Sequence, residues 1–152
     1  MKINFDRIDK RISGFMNKWG VNALRYSLAI IFVWFGILKV LGISPAEKLV
    51  LATVYWLPFF TPQSWLIIIG WWEVFIGITF LFKYTTRIAI ALLALQMAGT
   101  LMPLFILTNV TFQAGRFPYA PTLEGQYIIK NLLIISGALV IGGTLRRNKN
   151  LR

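Results

Sequence analysis

Several polar side chains lie inside the most apolar stretches of this sequence, where a membrane protein has few. Among them are Lys39, Glu73, Gln96 and Lys130. Such groups are costly in hydrocarbon, so they face other helices, pair with one another or bind a ligand. Ammonium and amide groups can donate hydrogen bonds to a ligand carbonyl, and a carboxyl group can exchange protons. These residues are the first candidates for a functional site.

Each of these side chains shares a helical face with a glycine or a proline. The spacings are three, four or seven residues: Gly36 with Lys39, Gly70 and Gly77 with Glu73, Gly99 and Pro103 with Gln96, and Gly137 with Lys130. Small residues mark close contact between membrane helices, and polar side chains there hydrogen-bond across helices. The pattern predicts that the four polar faces meet inside one bundle.

The depth of these residues bears on their role. At about 1.5 Å per residue, Lys39 and Lys130 lie roughly 5–6 Å inside the outer boundary, and Glu73 roughly 13–14 Å inside it. The lysines can extend to the interface, whereas Glu73 cannot. Glu73 is either a structural hydrogen-bonding partner or a site for a ligand or proton. We expect Lys130 to face the interior close to Lys39, with Glu73 or Glu124 as the counter-charge.

Three further residues complete the candidate ligand-binding set, which is Lys39, Trp72, Glu73, Gln96, Glu124, Gln126 and Lys130. Glu124 and Gln126 stand at the start of the fourth apolar stretch. Trp72 lies too deep for an interfacial aromatic belt and could pack around a ligand. Gln96 and Asn131 are interpreted as hydrogen-bonding residues between helices in preference to ligand contacts.

The composition identifies the elements that must position these residues. Of 152 residues, 57% are hydrophobic and 14% are charged, and the mean hydropathy is +0.68. These values are typical of a multi-pass membrane protein. The sequence predicts an all-α membrane protein with one domain, residues 22–145, in which four transmembrane helices form a bundle. The predicted spans are about 22–42, 64–82, 87–108 and 126–145.

Two shorter helices are predicted outside the spans. Residues 1–21 form an amphipathic helix on the cytoplasmic interface, with apolar residues at helical spacing: Phe5, Ile8, Ile12, Phe15 and Trp19. Residues 44–58 form a short outer helix, too short to span. Ser44 and Glu47 have the spacing of a capping box there, and Pro45 occupies the favoured first helical position.

The basic residues predict the orientation. The net charge is +11, and the cations concentrate in residues 1–21, in the loop with Lys83 and Arg87, and in a basic tail, residues 146–152. The positive-inside rule places both termini in the cytoplasm, facing anionic lipid. Arg25 is interpreted as an anchor at the inner interface. This distribution favours a membrane partner and not nucleic acid.

Cysteine and histidine are both absent. Their absence excludes disulfides, thiol redox chemistry, thiolate metal sites and imidazole-ligated haem within this chain. No haem or metal is expected, no covalent cofactor is indicated, and no self-contained catalytic machinery is visible. A redox role would therefore need a bound ligand or a partner protein.

Three segments together resemble the DoxX-like superfamily of small four-helix membrane proteins. They are "LRYSLAIIFVWFGILKVLGISPAEKLV", "WWEVFIGI" and "LEGQYIIKNLLIISGALVI". The resemblance covers residues 22–145 and implies an integral protein of the bacterial inner (cytoplasmic) membrane. That superfamily includes a membrane subunit of a thiosulfate:quinone oxidoreductase, subunits associated with oxidative-stress enzymes, and relatives that assist ion-channel assembly.

Two functions are open at this point. The first is a membrane subunit that binds a small ligand, a quinone or a lipid, and supports a redox partner. The second is a non-enzymatic partner that assembles or scaffolds another membrane protein, through residues 44–58 or the glycine faces. A transporter is a third alternative, and it would need a homo-oligomer because four spans are few for alternating access.

Overall fold

The computed structural model describes residues 2–147, and the side chains of residues 5–145 within them. The described helices are α1 (Lys2–Val40), α2 (Glu47–Val54), α3 (Pro62–Leu81), α4 (Thr86–Leu101), α5 (Pro103–Ile106), α6 (Thr108–Thr111), α7 (Leu123–Ile129) and α8 (Asn131–Arg147). Four apolar segments are long enough to cross a membrane: Phe5–Val40, Pro62–Leu81, Thr86–Ile106 and Leu123–Leu145. The protein is therefore a helical, multi-pass membrane protein. The side chains of the predicted basic tail, residues 146–152, lie outside the described part.

The first helix is longer than the sequence pattern predicts. We expected an interfacial helix to end near residue 21 and a separate span to follow, but α1 runs unbroken from Lys2 to Val40. The two predicted segments are thus parts of one helix, because this stretch contains no proline and a glycine costs a helix only about 1 kcal/mol. Gly42, at φ +68°, ends α1. The amides of Gly42 and Ile43 donate to the carbonyls of Lys39 and Leu38, which is a Schellman motif.

Helices α1 and α3 touch backbone to backbone at two levels. A Cβ atom on Gly36 would lie 2.6 Å from the Gly70 carbonyl oxygen, and one on Gly77 would lie 2.7 Å from the Ala29 carbonyl oxygen. Only glycine fits such approaches, so the predicted close contact is confirmed at these glycines. The glycine faces of the first two spans are consequently occupied within this chain. The prediction is wrong at Gly99, where an added Cβ atom would meet nothing within 4 Å.

The outer helix starts later than predicted. We expected Pro45 at its first position and a capping box between Ser44 and Glu47, but α2 begins at Glu47 and has eight residues. The Ser44 hydroxyl accepts from the Ala46 amide at 3.3 Å instead of capping the helix. A turn at residues 45–46 thus replaces the predicted first helical turn. The helix is far too short to span, as predicted.

The last two spans are each interrupted. Pro103 begins α5 directly after α4, because proline cannot continue the hydrogen bonding of the preceding turn. In the fourth span, the Asn131 side-chain amide donates to the carbonyls of Tyr127 and Ile128, at 3.2 and 3.1 Å. A side chain that bonds these carbonyls competes with the helical amides, and the helix breaks at Lys130.

A tightly packed apolar core joins the long helices α1, α3, α4 and α8. Its buried members are Leu28, Ala29, Phe32, Ile76, Phe80, Ala89, Leu93, Met97, Ala138 and Ile141. Ile76 and Phe80 of α3 are completely buried in it. Lys39, Glu73 and Gln96 lie together at one end of this core.

Candidate functional site

Three of the predicted site residues form one hydrogen-bonded group, which we call the polar centre: Lys39 of α1, Glu73 of α3 and Gln96 of α4. The Lys39 ammonium donates to Oε2 of Glu73 at 2.5 Å. The Gln96 side-chain amide donates to Oε1 of Glu73 at 3.1 Å. Both carboxylate oxygens therefore have a partner, each on a different helix.

Glycine packing positions the ion pair. Gly36 and Gly70 bring the axes of α1 and α3 together, and each lies one helical turn before a member of the pair. A Cβ atom on Gly70 would lie 3.0 Å from the Cβ of Lys39. Lys39 also lies in the last turn of α1, where the helix dipole favours a cation.

The polar centre is enclosed by protein. The side chains of Lys39 and Glu73 are only 9% and 11% exposed. Gln96 is half-buried, and Trp72, beside Glu73, is half-buried against the apolar core. Buried opposite charges without competing water interact far more strongly than a surface pair, but their desolvation offsets much of that gain. The pairing of Glu73 with one of the two lysines is confirmed.

The predicted residues of the fourth span lie elsewhere. Glu124, Gln126 and Lys130 are exposed, and the Lys130 ammonium lies 5.3 Å from the centre of the Tyr127 ring. The expectation that Lys130 faces the interior beside Lys39 is wrong. The reason is the rotation of α7.

Gly125 fixes that rotation. It packs on the Thr111 backbone so closely that a side chain there would overlap the carbonyl. Gly125 and Ile128 are the buried residues of α7. Residues 126 and 130 share the opposite face, so both point outward. The sequence pattern correctly grouped Gln126 with Lys130 but could not choose which face is buried.

A buried residue that the pattern undervalued is Arg25. It is 8% exposed, and its Nε has no hydrogen-bond partner among the residues that the structure describes. The sequence pattern predicts only an interfacial anchor at this position. The spacing alone could not have predicted this burial, because Lys18, seven residues earlier on the same face of α1, is exposed.

The polar centre can donate and accept hydrogen bonds. The Lys39 ammonium has three N–H donors and uses one on Glu73, so it can serve a second acceptor. Within residues 2–147, no three His, Cys, Asp or Glu side chains come together as metal ligands. The chemistry that the described side chains can supply here is hydrogen bonding and proton exchange.

Comparisons with known protein families, curated proteins and solved structures give no significant match. The class that the fold defines is a multi-pass helical membrane protein with a buried ion pair shared by two of its four apolar segments.

Proposed function

We propose that this chain is a DoxX-like protein of the bacterial cytoplasmic membrane, with its four spans arranged as a bundle and both termini in the cytoplasm. The order of the polar residues along the chain supports the family assignment. Two of the residues that carry the resemblance, Lys39 and Glu73, are also paired in space. The concentration of cations in the N-terminal segment and the loop after the second span supports the orientation.

Within that family, the function that we propose is to bind a small ligand, a quinone or a lipid, for a redox partner. The observation that carries this proposal is the hydrogen-bonded Lys39–Glu73–Gln96 group inside an apolar protein. A quinone carbonyl requires a donor, which Lys39 or Gln96 supplies. Its reduction requires protons, which Glu73 can exchange.

A purely structural role for the pair is the weaker explanation. Replacing a buried ion pair with apolar residues of similar volume is often neutral or stabilising, by about 1–4 kcal/mol. Helices α1 and α3 already contact closely through Gly36, Gly70 and Gly77. Ionisable residues within membrane spans generally mark ligand or proton sites. The pair is therefore better explained by a ligand than by helix association.

The test is to purify the protein from its native membrane and identify co-purified quinones and lipids by mass spectrometry. Glu73→Gln retains the shape of the site but removes its charge and its proton exchange. We expect this variant to fold and to lose the ligand, whereas Glu124→Gln, at an exposed carboxyl group, retains it. Equal ligand occupancy in the wild type and Glu73→Gln would reject the proposal.

The second candidate function, assembly of another membrane protein, is favoured by one feature of the outer loop. Phe59 has φ +80° and is 91% exposed. A non-glycine residue in this conformation is strained, and such strain is often associated with function. Tyr55, Trp56 and Phe60 nearby are also exposed. A photo-crosslinker at position 59 should then label one specific membrane protein in cells, and one at Tyr84 should not.

A further inference from the structure

Arg25 is a second buried cation, and unlike Lys39 it has no carboxylate partner among the residues that the structure describes. Arg25 as a whole residue is only 8% exposed. The guanidinium carbon lies 4.9 Å from the centre of the Tyr26 ring. The buried Nε–H has no acceptor among the described residues. A buried, unsatisfied donor on a charged group costs more than the 1–3 kcal/mol typical of neutral groups.

Arg25 lines a cavity of about 590 Å³. The cavity lies between the middle of α1, the loop and first turn between α3 and α4, and the last turns of α8. Lys18 and Lys83 line it together with Arg25, while Ile141, Leu145 and Val21 supply apolar walls. Pockets for small ligands typically have about 300–1,000 Å³. The volume therefore suits a ligand and not only a few waters.

The charge of this cavity is unbalanced. Three cationic side chains line it, and none of the described lining residues is acidic. All five acidic residues of the chain lie within residues 5–145, and Glu73 is already paired with Lys39. Three cations around one partly apolar space repel one another unless an anion joins them.

We propose that this cavity binds a phosphate group, either that of an anionic phospholipid headgroup or free phosphate. Arginine presents a fork of N–H donors that matches phosphate oxygens, and the two lysines add point charges. The side-chain amides of Asn17 and Asn22 also line the cavity and can donate. The apolar walls accommodate the glycerol of a lipid, while free phosphate would need only the cationic side.

This site is separate from the polar centre. Arg25 and Lys39 are 14 residues apart on one helix, which is about 21 Å along its axis. Binding of phosphate at this site therefore does not depend on whether a quinone or lipid binds at Glu73, and the two proposals can be tested separately.

The experiment uses the full chain in two arms. In the lipid arm, the protein is reconstituted in phosphatidylcholine with a minor fraction of phosphatidylglycerol, and native mass spectrometry measures the lipid that it retains. In the phosphate arm, the delipidated protein is titrated with inorganic phosphate against chloride at equal ionic strength, and the shift in unfolding temperature is measured. Retention of phosphatidylglycerol identifies a lipid headgroup, and a shift with phosphate alone identifies the free anion.

The variants are Arg25→Gln and Lys83→Gln, with Lys10→Gln as the matched control. Lys10 is exposed on the same helix as Arg25 and does not line the cavity. We expect each cavity variant to weaken binding roughly tenfold or more, the effect of losing a hydrogen bond to a charged group. Lys83 is exposed, so its variant remains informative if Arg25→Gln fails to fold. The proposal is overturned if the wild type binds neither probe, or if Lys10→Gln weakens binding as much as Lys83→Gln.

Discussion

Lys39 and Glu73 form a 2.5 Å ion pair that joins the end of the first apolar helix to the middle of the second. Their helices can approach this closely because Gly36 and Gly70 face each other one turn earlier. The second carboxylate oxygen accepts from Gln96, which adds a third helix to the same group. This geometry makes the three residues energetically dependent on one another, and that dependence can be measured.

Lys39→Met is expected to destabilise the protein by about 3–5 kcal/mol, because it leaves the buried Glu73 carboxyl group without its partner. Adding Glu73→Leu should recover most of that loss, since the double variant contains no buried charge. Unfolding in mixed detergent micelles measures all four members of the cycle. Additive effects of the two substitutions would show that the residues do not act as a pair.

The same cycle applied to ligand binding separates the two roles of the pair. A structural pair predicts that the stable double variant retains whatever ligand the wild type carries. A binding site predicts that the double variant folds but is empty. Mass spectrometry of the purified proteins distinguishes these results.

Gly36→Ala should destabilise the contact between α1 and α3 by about 1–3 kcal/mol, the usual cost of overpacking. The added methyl group would meet backbone atoms that cannot move without separating the helices. Gly99→Ala is the matched control, because a Cβ atom there meets nothing within 4 Å. Equal stability of the two variants would contradict the contact.

Lys130→Gln should change the free energy of unfolding by no more than about 0.5 kcal/mol, because Lys130 is exposed and makes no ion pair with a described residue. Lys39→Gln, the same chemical change at the buried lysine, should cost several times as much. A large loss at Lys130 would mean that the fourth span is rotated toward the polar centre. Detergent unfolding of both variants gives the comparison.

The orientation can be tested with single cysteines, since the chain has none of its own. A cysteine at position 84, in the loop between α3 and α4, should resist an impermeant reagent on intact cells. One at position 113, in the loop before α7, should react. Both native side chains are exposed, so burial does not confound the result. Labelling at position 84 would reverse the proposed topology.

The sequence predicted the features that depend on local spacing. The four apolar segments follow from length and hydropathy, and the pairing of Glu73 follows from the glycines that share its face. It did not predict that Lys130 points outward, because the rotation of α7 depends on Gly125 contacting Thr111 across the loop. It also missed the burial of Arg25, which depends on the loop after α3 and on α8 closing over α1.

The unbroken course of α1 has a mechanical consequence. A helix of 39 residues is about 58 Å long, nearly twice the roughly 30 Å thickness of the hydrocarbon layer. A helix of this length must tilt steeply or extend beyond the bilayer. Lys18, Arg25 and Lys39 all belong to this one helix, which continues without a break from Lys2 to Val40. A displacement of its N-terminal end would therefore be passed along the helix toward the ion pair.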